Sequence, residues 1–165
     1  MKTLTIVRHA KSSWKNTSLR DRERPLNKRG KRDAPEMGRR IHDAGIRPSL
    51  ILSSPATRAW KTAKAVADAI SYPREFLQKE ESLYLASVDR ILDVIVAQDN
   101  RFNNILIVGH NPGLTDFANF LVPGLTHNLP TASVVCVEFD QDDWSLYERP
   151  ATKLVLHDWP KKHPA

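Results

Sequence analysis

Thr3-Leu4-Thr5-Ile6-Val7-Arg8-His9-Ala10 is the stretch of sequence that decides the fold of this chain. Its β-branched and apolar residues are typical of a buried strand, and the strand stops at an arginine followed by a histidine. In an open α/β sheet, ligands bind at the carboxyl ends of the parallel strands, where the chain leaves the sheet. The Arg8–His9 pair therefore lies where a ligand site is expected.

Two further predicted strands end in the same way. Residues 50–53 lead into Ser54-Pro55-Ala56-Thr57-Arg58, and residues 105–109 lead into His110-Asn111-Pro112. If the three strands are parallel neighbours, four side chains meet at one edge of the sheet, and they are Arg8, His9, Arg58 and His110.

The rest of the chain alternates between strands and helices. Apolar residues at three- and four-residue spacing predict helices that begin near residues 28, 55, 88 and 112. Pro35 is expected to kink or restart the first of them, because it lacks an amide hydrogen. Residues 133–139 form a predicted fourth strand, and residues 144–148 a fifth that is antiparallel to it. The pattern predicts an α/β fold, a three-layer α/β/α sandwich with a mostly parallel central sheet.

The 165 residues are interpreted as a single domain, 1–165, with enough length for a substantial core. The chain has a single cysteine, Cys136, which excludes a disulfide within the chain and favours a cytoplasmic location. Cys136 lies in an apolar run and is interpreted as a residue that fills the core. No apolar run reaches the roughly 18 residues of a membrane span, and we expect neither a signal peptide nor a membrane partner.

Much of the formal net charge of +6 lies between Arg20 and Arg32. Nucleic acid is one possible partner of such a segment, but no aromatic residue is interleaved for base stacking, and the cations alternate with acids. We therefore expect no nucleic-acid partner and interpret the segment as a solvated face, or as a rim that attracts phosphorylated substrates.

Two arginines and two histidines without an acidic cluster form a poor site for a divalent metal, which prefers carboxylates or several neutral histidines. They form a good phosphoryl site, because arginine offers paired donors that match phosphate oxygens. An imidazole can also attack phosphorus and carry it covalently. Taken singly, His110 is equally explained as a helix cap and Arg58 as a surface cation. The residues alone therefore predict an anion site, with phosphate favoured.

Three motifs carry a resemblance to a known family. Val7-Arg8-His9-Ala10 resembles the Arg-His-Gly signature of the histidine phosphatase, or phosphoglycerate-mutase-like, superfamily, with Ala10 in place of the usual glycine. Residues 53–63 are similar to its second motif, which carries an essential arginine, and residues 108–112 to its third. Residues 24–30 and the short length look most like the small bacterial branch named for the phosphohistidine phosphatase SixA.

The resemblance implies a phosphoglycerate-mutase-like fold and assigns roles within it. His9 is the expected nucleophile, Arg8, Arg58 and His110 hold the phosphoryl oxygens, and neither cofactor nor metal is implied. Larger members carry an acid that protonates the leaving group, for which Glu81, beside Glu80, is the local candidate. The expected lids are the 11–26 and 123–131 loops, and the expected rim contacts to substrate are Ser12, Asn16 and Arg20, with Lys11.

The leading hypothesis is a metal-independent phosphatase that acts through phospho-His9 on a phosphorylated substrate, in particular a protein that carries phosphohistidine. A small-molecule phosphomonoesterase of the same fold is one alternative. A non-catalytic module that binds phosphate or nucleic acid is the alternative from another class. It predicts that a His9→Ala variant still binds its ligand and that no phosphate is released.

Overall fold

The computed structural model describes residues 1–164. Its strands are β1 (Lys2–Arg8), β2 (Leu50–Ser53), β3 (Gln78–Lys79), β4 (Asn104–Gly109), β5 (Val134–Phe139) and β6 (Lys153–Asp158). Its α-helices are α1 (Lys28–Asp43), α2 (Thr57–Ala69), α3 (Val88–Val96) and α4 (Gly113–Leu121). The predicted helix starts are confirmed to within two residues.

The six strands form one sheet in the order β3-β2-β4-β1-β5-β6. The pairs β2–β3, β2–β4 and β1–β4 are parallel, whereas β5 runs antiparallel to both β1 and β6. Arg8 lies opposite Gly109, and Ser53 lies opposite Val108. The strands β1, β4 and β2 are therefore parallel neighbours that end at nearly the same level, as the sequence predicted.

Apolar residues alternate between the two faces of the sheet. In β4, Ile105 and Ile107 join the apolar cluster beneath α3 and α4, whereas Leu106 and Val108 join the cluster beneath α1 and α2. Burial of both faces explains why the central strands are continuous apolar runs. The structure thus confirms the α/β class and the three-layer α/β/α arrangement. None of the helices in residues 1–164 combines the length and apolar character needed to cross a bilayer.

The predicted strand over residues 144–148 is wrong. Trp144 and Leu146 are buried while Ser145 and Tyr147 are exposed, so the segment has the two-residue period of a strand. The segment does not pair with a strand of the sheet. Instead, the backbone amide of Trp144 donates to the side chain of Asn100, with Oδ1 as acceptor at 3.1 Å. The strand that pairs with β5 is β6, further along the chain.

The helix α1 does not restart at Pro35 but continues through it from Lys28 to Asp43. Ala34, Met37 and Ile41 are each at most 1% exposed and form one buried face on both sides of the proline. Because packing supplies most of the stability of a helix in a protein, the loss of one amide donor does not end it.

Candidate active site

The ends of β1 and β4 and the start of α2 surround a cavity of about 290 Å³ that contains all four residues predicted to meet there. Arg8, His9, Arg58 and His110 line it together with Ser12 and Lys11 of the 11–26 loop. The rings of His9 and His110 lie 5.2 Å apart between centroids. The cavity is rich in cationic and imidazole groups, as expected for an anion site.

The imidazole of His9 is held in one orientation. The side chain is 7% exposed, and Nδ1 lies 2.8 Å from the carbonyl oxygen of Ala10. Because a carbonyl only accepts, Nδ1 carries the proton in the neutral ring, and the lone pair is left on Nε2. Burial, with the nearby arginines Arg58 and Arg8, lowers the pKa of His9 to about 4. The ring is therefore neutral and nucleophilic at physiological pH.

Ala10, which stands where the family has glycine, does not adopt a left-handed φ. It is fully buried, and its amide donates to Thr62 Oγ1 at 3.0 Å. The turn after β1 therefore has no need of the conformational freedom of glycine.

Arg8 spans the cavity wall and is anchored at its far end. Its Nη1 donates to the carbonyl oxygen of Leu129, in the 123–131 loop, at 2.7 Å. The Nε–H is buried and has no protein acceptor. Burial lowers the pKa of Arg8, but a guanidinium keeps its charge. This side chain places a permanent positive charge in the lining of the cavity that also contains His9.

Arg58, at the start of α2, is 2% exposed and forms hydrogen bonds with Asp21. Its Nη1 donates to the main-chain oxygen of Asp21 at 2.7 Å, and its Nη2 donates to Asp21 Oδ2 at 3.0 Å. Nη2 also lies 3.4 Å from Nδ1 of His110, and the buried Nε–H has no protein acceptor. The guanidinium is thereby fixed between His110 and the 11–26 loop.

His110 follows β4 and contacts the side chains on either side of it. Its Nε2 lies 2.7 Å from Ser54 Oγ, and its Nδ1 faces Arg58. Since arginine only donates, this contact fits a neutral ring whose proton is on Nε2. Burial, together with the nearby His9 and Arg58, lowers the pKa of His110 to about 3. The negative charge of a phosphoryl group would act in the opposite direction on this pKa.

Asp21 is the one carboxylate that lines the cavity. Tyr84 donates its hydroxyl to Asp21 Oδ2 at 2.5 Å, and Arg24 Nε donates to Oδ1 at 3.3 Å. Partial burial raises the pKa of Asp21, but the hydrogen bonds from Tyr84 and Arg58 outweigh it and bring the pKa to about 2. Asp21 is thus a permanent negative charge that ties three neighbouring side chains together.

The remaining predicted site residues are divided between the cavity and the surface. Ser12 is buried, lines the cavity and accepts from Arg24 Nη1 at 2.8 Å. Asn16 accepts from Ser18 within its own loop. The side chains of Arg20 and Glu81 are 84% and 67% exposed. These last three residues lie outside the cavity lining.

Glu81 forms an ion pair with Arg22 at 2.5 Å. The hydrogen bond from Arg22 lowers the pKa of Glu81, which favours the ionised carboxylate over the acid form. The proposed role of Glu81 as proton donor stays a prediction, and the ion pair defines the variant that tests it.

Sequence reasoning did not find Asp21, Tyr84 or Ser54. The first two lie in segments without periodicity, so nothing in the sequence indicates that they meet. Ser54 Oγ accepts the amide of Ala56 at 3.2 Å, as a residue before a helix often does, and it also contacts Nε2 of His110. In residues 1–164, no group of three or more histidine, cysteine, aspartate or glutamate side chains has the arrangement of a metal site.

Comparison with known proteins identifies one superfamily whose members the chain resembles. The family model for the histidine phosphatase superfamily (branch 1) matches residues 4–83. An uncharacterized chloroplastic protein of Arabidopsis thaliana is 32% identical over 149 residues, which cover 86% of this chain and 68% of that protein.

A 2,3-bisphosphoglycerate-dependent phosphoglycerate mutase of Chelativorans sp. is 34% identical over 73 residues, covering 43% of this chain and 35% of the mutase. Among solved structures, the protein histidine phosphatase SixA in complex with tungstate superposes with a TM-score of 0.80 at 21% identity, over 97% of this chain and 98% of SixA. At that identity the likeness concerns the fold.

Proposed function

Since the chain belongs to the histidine phosphatase superfamily and is a phosphatase, we propose that it transfers a phosphoryl group first to His9 and then to water. The substrate in this proposal is a protein that carries phosphohistidine. The observation that carries the proposal is the fixed orientation of His9, whose Nδ1 is bonded to the carbonyl of Ala10 inside a cavity lined by two arginines.

In the first step, the lone pair of His9 Nε2 forms a bond to phosphorus, and the bond from phosphorus to the leaving atom breaks. The electron pair of that bond departs with the leaving group. A phosphohistidine that is protonated on its other ring nitrogen leaves as a neutral imidazole, so this step needs no proton donor at the departing nitrogen. That chemistry suits a site in which Glu81 lies outside the cavity lining.

The three phosphoryl oxygens need charge neutralisation and positioning more than they need covalent chemistry. The guanidinium groups of Arg8 and Arg58 are charged donors that line the cavity with His9 and are held by Leu129 and Asp21. The negative charge of the phosphoryl group favours the protonated form of His110, which then adds a positive charge to the site. These donors are positioned before the reaction, so they stabilise the transition state without reorganisation.

In the second step, a water oxygen attacks the phosphorus of phospho-His9. The bond from phosphorus to Nε2 breaks and its electron pair returns to the ring, while the proton that the water loses passes to a phosphate oxygen. Inorganic phosphate leaves and neutral His9 is restored. The low pKa of His9 supports this step, because the freed ring is not trapped as an imidazolium.

The cavity and its rim support a protein substrate. A volume of about 290 Å³ accepts a phosphoryl group and the ring that carries it, and the exposed Arg20 and Arg22 lie on the 11–26 loop beside it. A small-molecule phosphomonoesterase is the second candidate, and the sequence match to a phosphoglycerate mutase favours it. The single buried cysteine fits a reducing compartment, and we place the enzyme in the cytoplasm.

The test is phosphate release from a phosphohistidine peptide and from p-nitrophenyl phosphate, with a chelator present. We expect release by the wild type and by His42→Ala, which removes a half-exposed histidine of α1. We expect His9→Ala to be at least about 10³-fold slower, because it removes the nucleophile. Alkaline quenching should also trap phosphoprotein only when His9 is present.

Turnover by His9→Ala at the wild-type rate would refute the covalent route. Faster hydrolysis of small phosphomonoesters than of the phosphohistidine peptide would favour the second candidate. If the wild type binds phosphate but releases none from any substrate, the chain is a binding module.

A further inference from the structure

Two exposed apolar side chains line the cavity that contains His9. Trp14 is 70% exposed and Leu85 is 55% exposed, and both line this cavity. Trp14 is the most exposed large apolar residue of residues 1–164. The cavity therefore combines a cationic floor with an apolar mouth, a combination that phosphate alone does not require.

Trp14 is held in place by the network that positions the arginine of the phosphoryl site. The guanidinium of Arg24 lies 3.5 Å from the centroid of the indole. Arg24 is 7% exposed and is anchored to Ser12 Oγ at 2.8 Å and to Asp21 Oδ1 at 3.3 Å. Asp21 in turn holds Arg58. The indole is thus fixed relative to the phosphoryl site, and its high exposure leaves surface for a ligand.

Leu85 occupies a backbone conformation that leucine rarely adopts. Its φ is +47°, in the left-handed region that favours glycine and asparagine. Its side chain contributes little to the core, because it is more than half exposed. Strained residues of this kind concentrate at sites of function. An apolar side chain in this conformation at the mouth of the cavity points to contact with a ligand.

We infer that Trp14 and Leu85 form the subsite for the ring that carries the phosphoryl group, and that they make the enzyme selective for a planar leaving group. This inference rests on the proposed function. When phosphorus lies beside Nε2 of His9, a ring that is bonded directly to phosphorus is one bond from the phosphorus atom. This ring lies towards the mouth of the cavity, which Trp14 and Leu85 line. The imidazole of phosphohistidine meets this condition, and it can stack on an indole and contact an aliphatic side chain.

The test compares substrates that differ in their leaving group. We would measure kcat/KM for the phosphohistidine peptide, for p-nitrophenyl phosphate and for acetyl phosphate, which is labile and has no ring. Trp14→Ala should lower kcat/KM about tenfold on the two ring-bearing substrates, the size expected for one lost stacking contact, and less than about twofold on acetyl phosphate. Trp14→Phe should restore most of the loss, since it restores a ring.

Leu85→Gly removes the other side of the subsite while easing the backbone, so the variant is expected to fold. It should lower kcat/KM about threefold on the ring-bearing substrates alone, because an aliphatic contact is smaller than a stacked ring. Phe76→Ala is the matched control, because Phe76 is an aromatic residue that is 60% exposed and does not line the cavity. It should leave all three values unchanged.

Equal losses on all three substrates, or no loss on the ring-bearing ones, would overturn the subsite. Acetyl phosphate separates this result from a failure of the proposed function. If acetyl phosphate turnover depends on His9 and ring selectivity does not depend on Trp14, the subsite alone is refuted. If the wild type hydrolyses none of the three substrates, the proposed reaction through phospho-His9 fails and the subsite fails with it.

Discussion

Asp21 accepts hydrogen bonds from both terminal nitrogens of Arg58, one through its main-chain oxygen at 2.7 Å and one through its carboxylate at 3.0 Å. The donor and the acceptor are 37 residues apart in sequence. The 11–26 loop is therefore not a loose cover, because it sets the direction in which an arginine of the phosphoryl site points.

We predict that Asp21→Ala lowers kcat by about 10- to 100-fold, because an arginine misplaced by even about 1 Å loses most of its catalytic effect. KM should change little or fall, since the loss of a carboxylate makes the cavity more attractive to phosphate. Steady-state kinetics on p-nitrophenyl phosphate and inhibition by inorganic phosphate measure the two effects separately.

Asp21→Asn keeps an oxygen that can accept from Arg58, so its kcat should stay within about fivefold of the wild type. Tyr84→Phe is a useful control, because it removes one hydrogen bond to the same carboxylate and leaves the carboxylate in place. An equal loss of kcat in the alanine and asparagine variants would show that the charge of Asp21, and not the orientation of Arg58, is what matters.

Glu81→Gln tests the general acid that family resemblance implies. Glu81 is paired with Arg22 and lies outside the cavity lining, so we expect the rate to change by less than about twofold on both a phosphoester and a phosphohistidine peptide. A loss of tenfold or more on the phosphoester alone would mean that the carboxyl group reaches the leaving oxygen.

The strand ends, and with them four residues of the site, were predictable because they depend on periodic signals. The ends of two buried parallel strands fix the positions of Arg8, His9 and His110, and the helix that begins just after β2 fixes the position of Arg58. Asp21 was not predictable, because a loop without periodicity carries no signal for where its side chains point. The false strand at 144–148 shows the opposite error, in which alternating burial arises because Trp144 and Leu146 pack into the apolar cluster beneath α3 and α4 without joining the sheet.

The basic rim should affect a protein substrate more than a small one. Arg20→Glu and Arg22→Glu each change the local charge by two units on the 11–26 loop, where both side chains are exposed. We predict a three- to tenfold rise in KM on a phosphohistidine protein at low salt and less than about a twofold rise on p-nitrophenyl phosphate. Arg101→Glu is the matched control, because this exposed arginine lies beside the amino-terminal end of β4. Equal effects on both substrates would contradict a role in docking.

The two active-site histidines should make the folded state sensitive to mild acid. The pKa of His9 is lowered to about 4 and that of His110 to about 3, whereas the unfolded chain binds these protons near pH 6.5. At a pH between the folded-state and unfolded-state pKa values, the unfolded state binds more protons than the folded state. The free energy of unfolding therefore falls as the pH falls through this range. From pH 7 to pH 5 we expect roughly 2 kcal/mol of loss from each histidine.

Urea unfolding at pH 7, 6 and 5 measures this slope, and the window lies above the range in which Asp21, with a pKa of about 2, contributes. The pKa of His157 is also lowered, mainly by burial. The pH dependence of the wild type alone therefore does not show which histidines cause it. The glutamine introduced in the variant His9→Gln binds no proton in either the folded or the unfolded state. This variant should therefore lose about half of the pH dependence of the free energy of unfolding that His9 and His110 contribute, whereas His42→Ala should keep that contribution. An unchanged slope in His9→Gln would mean that His9 titrates normally in the folded protein. It would then be largely protonated below about pH 6 and a poor nucleophile there.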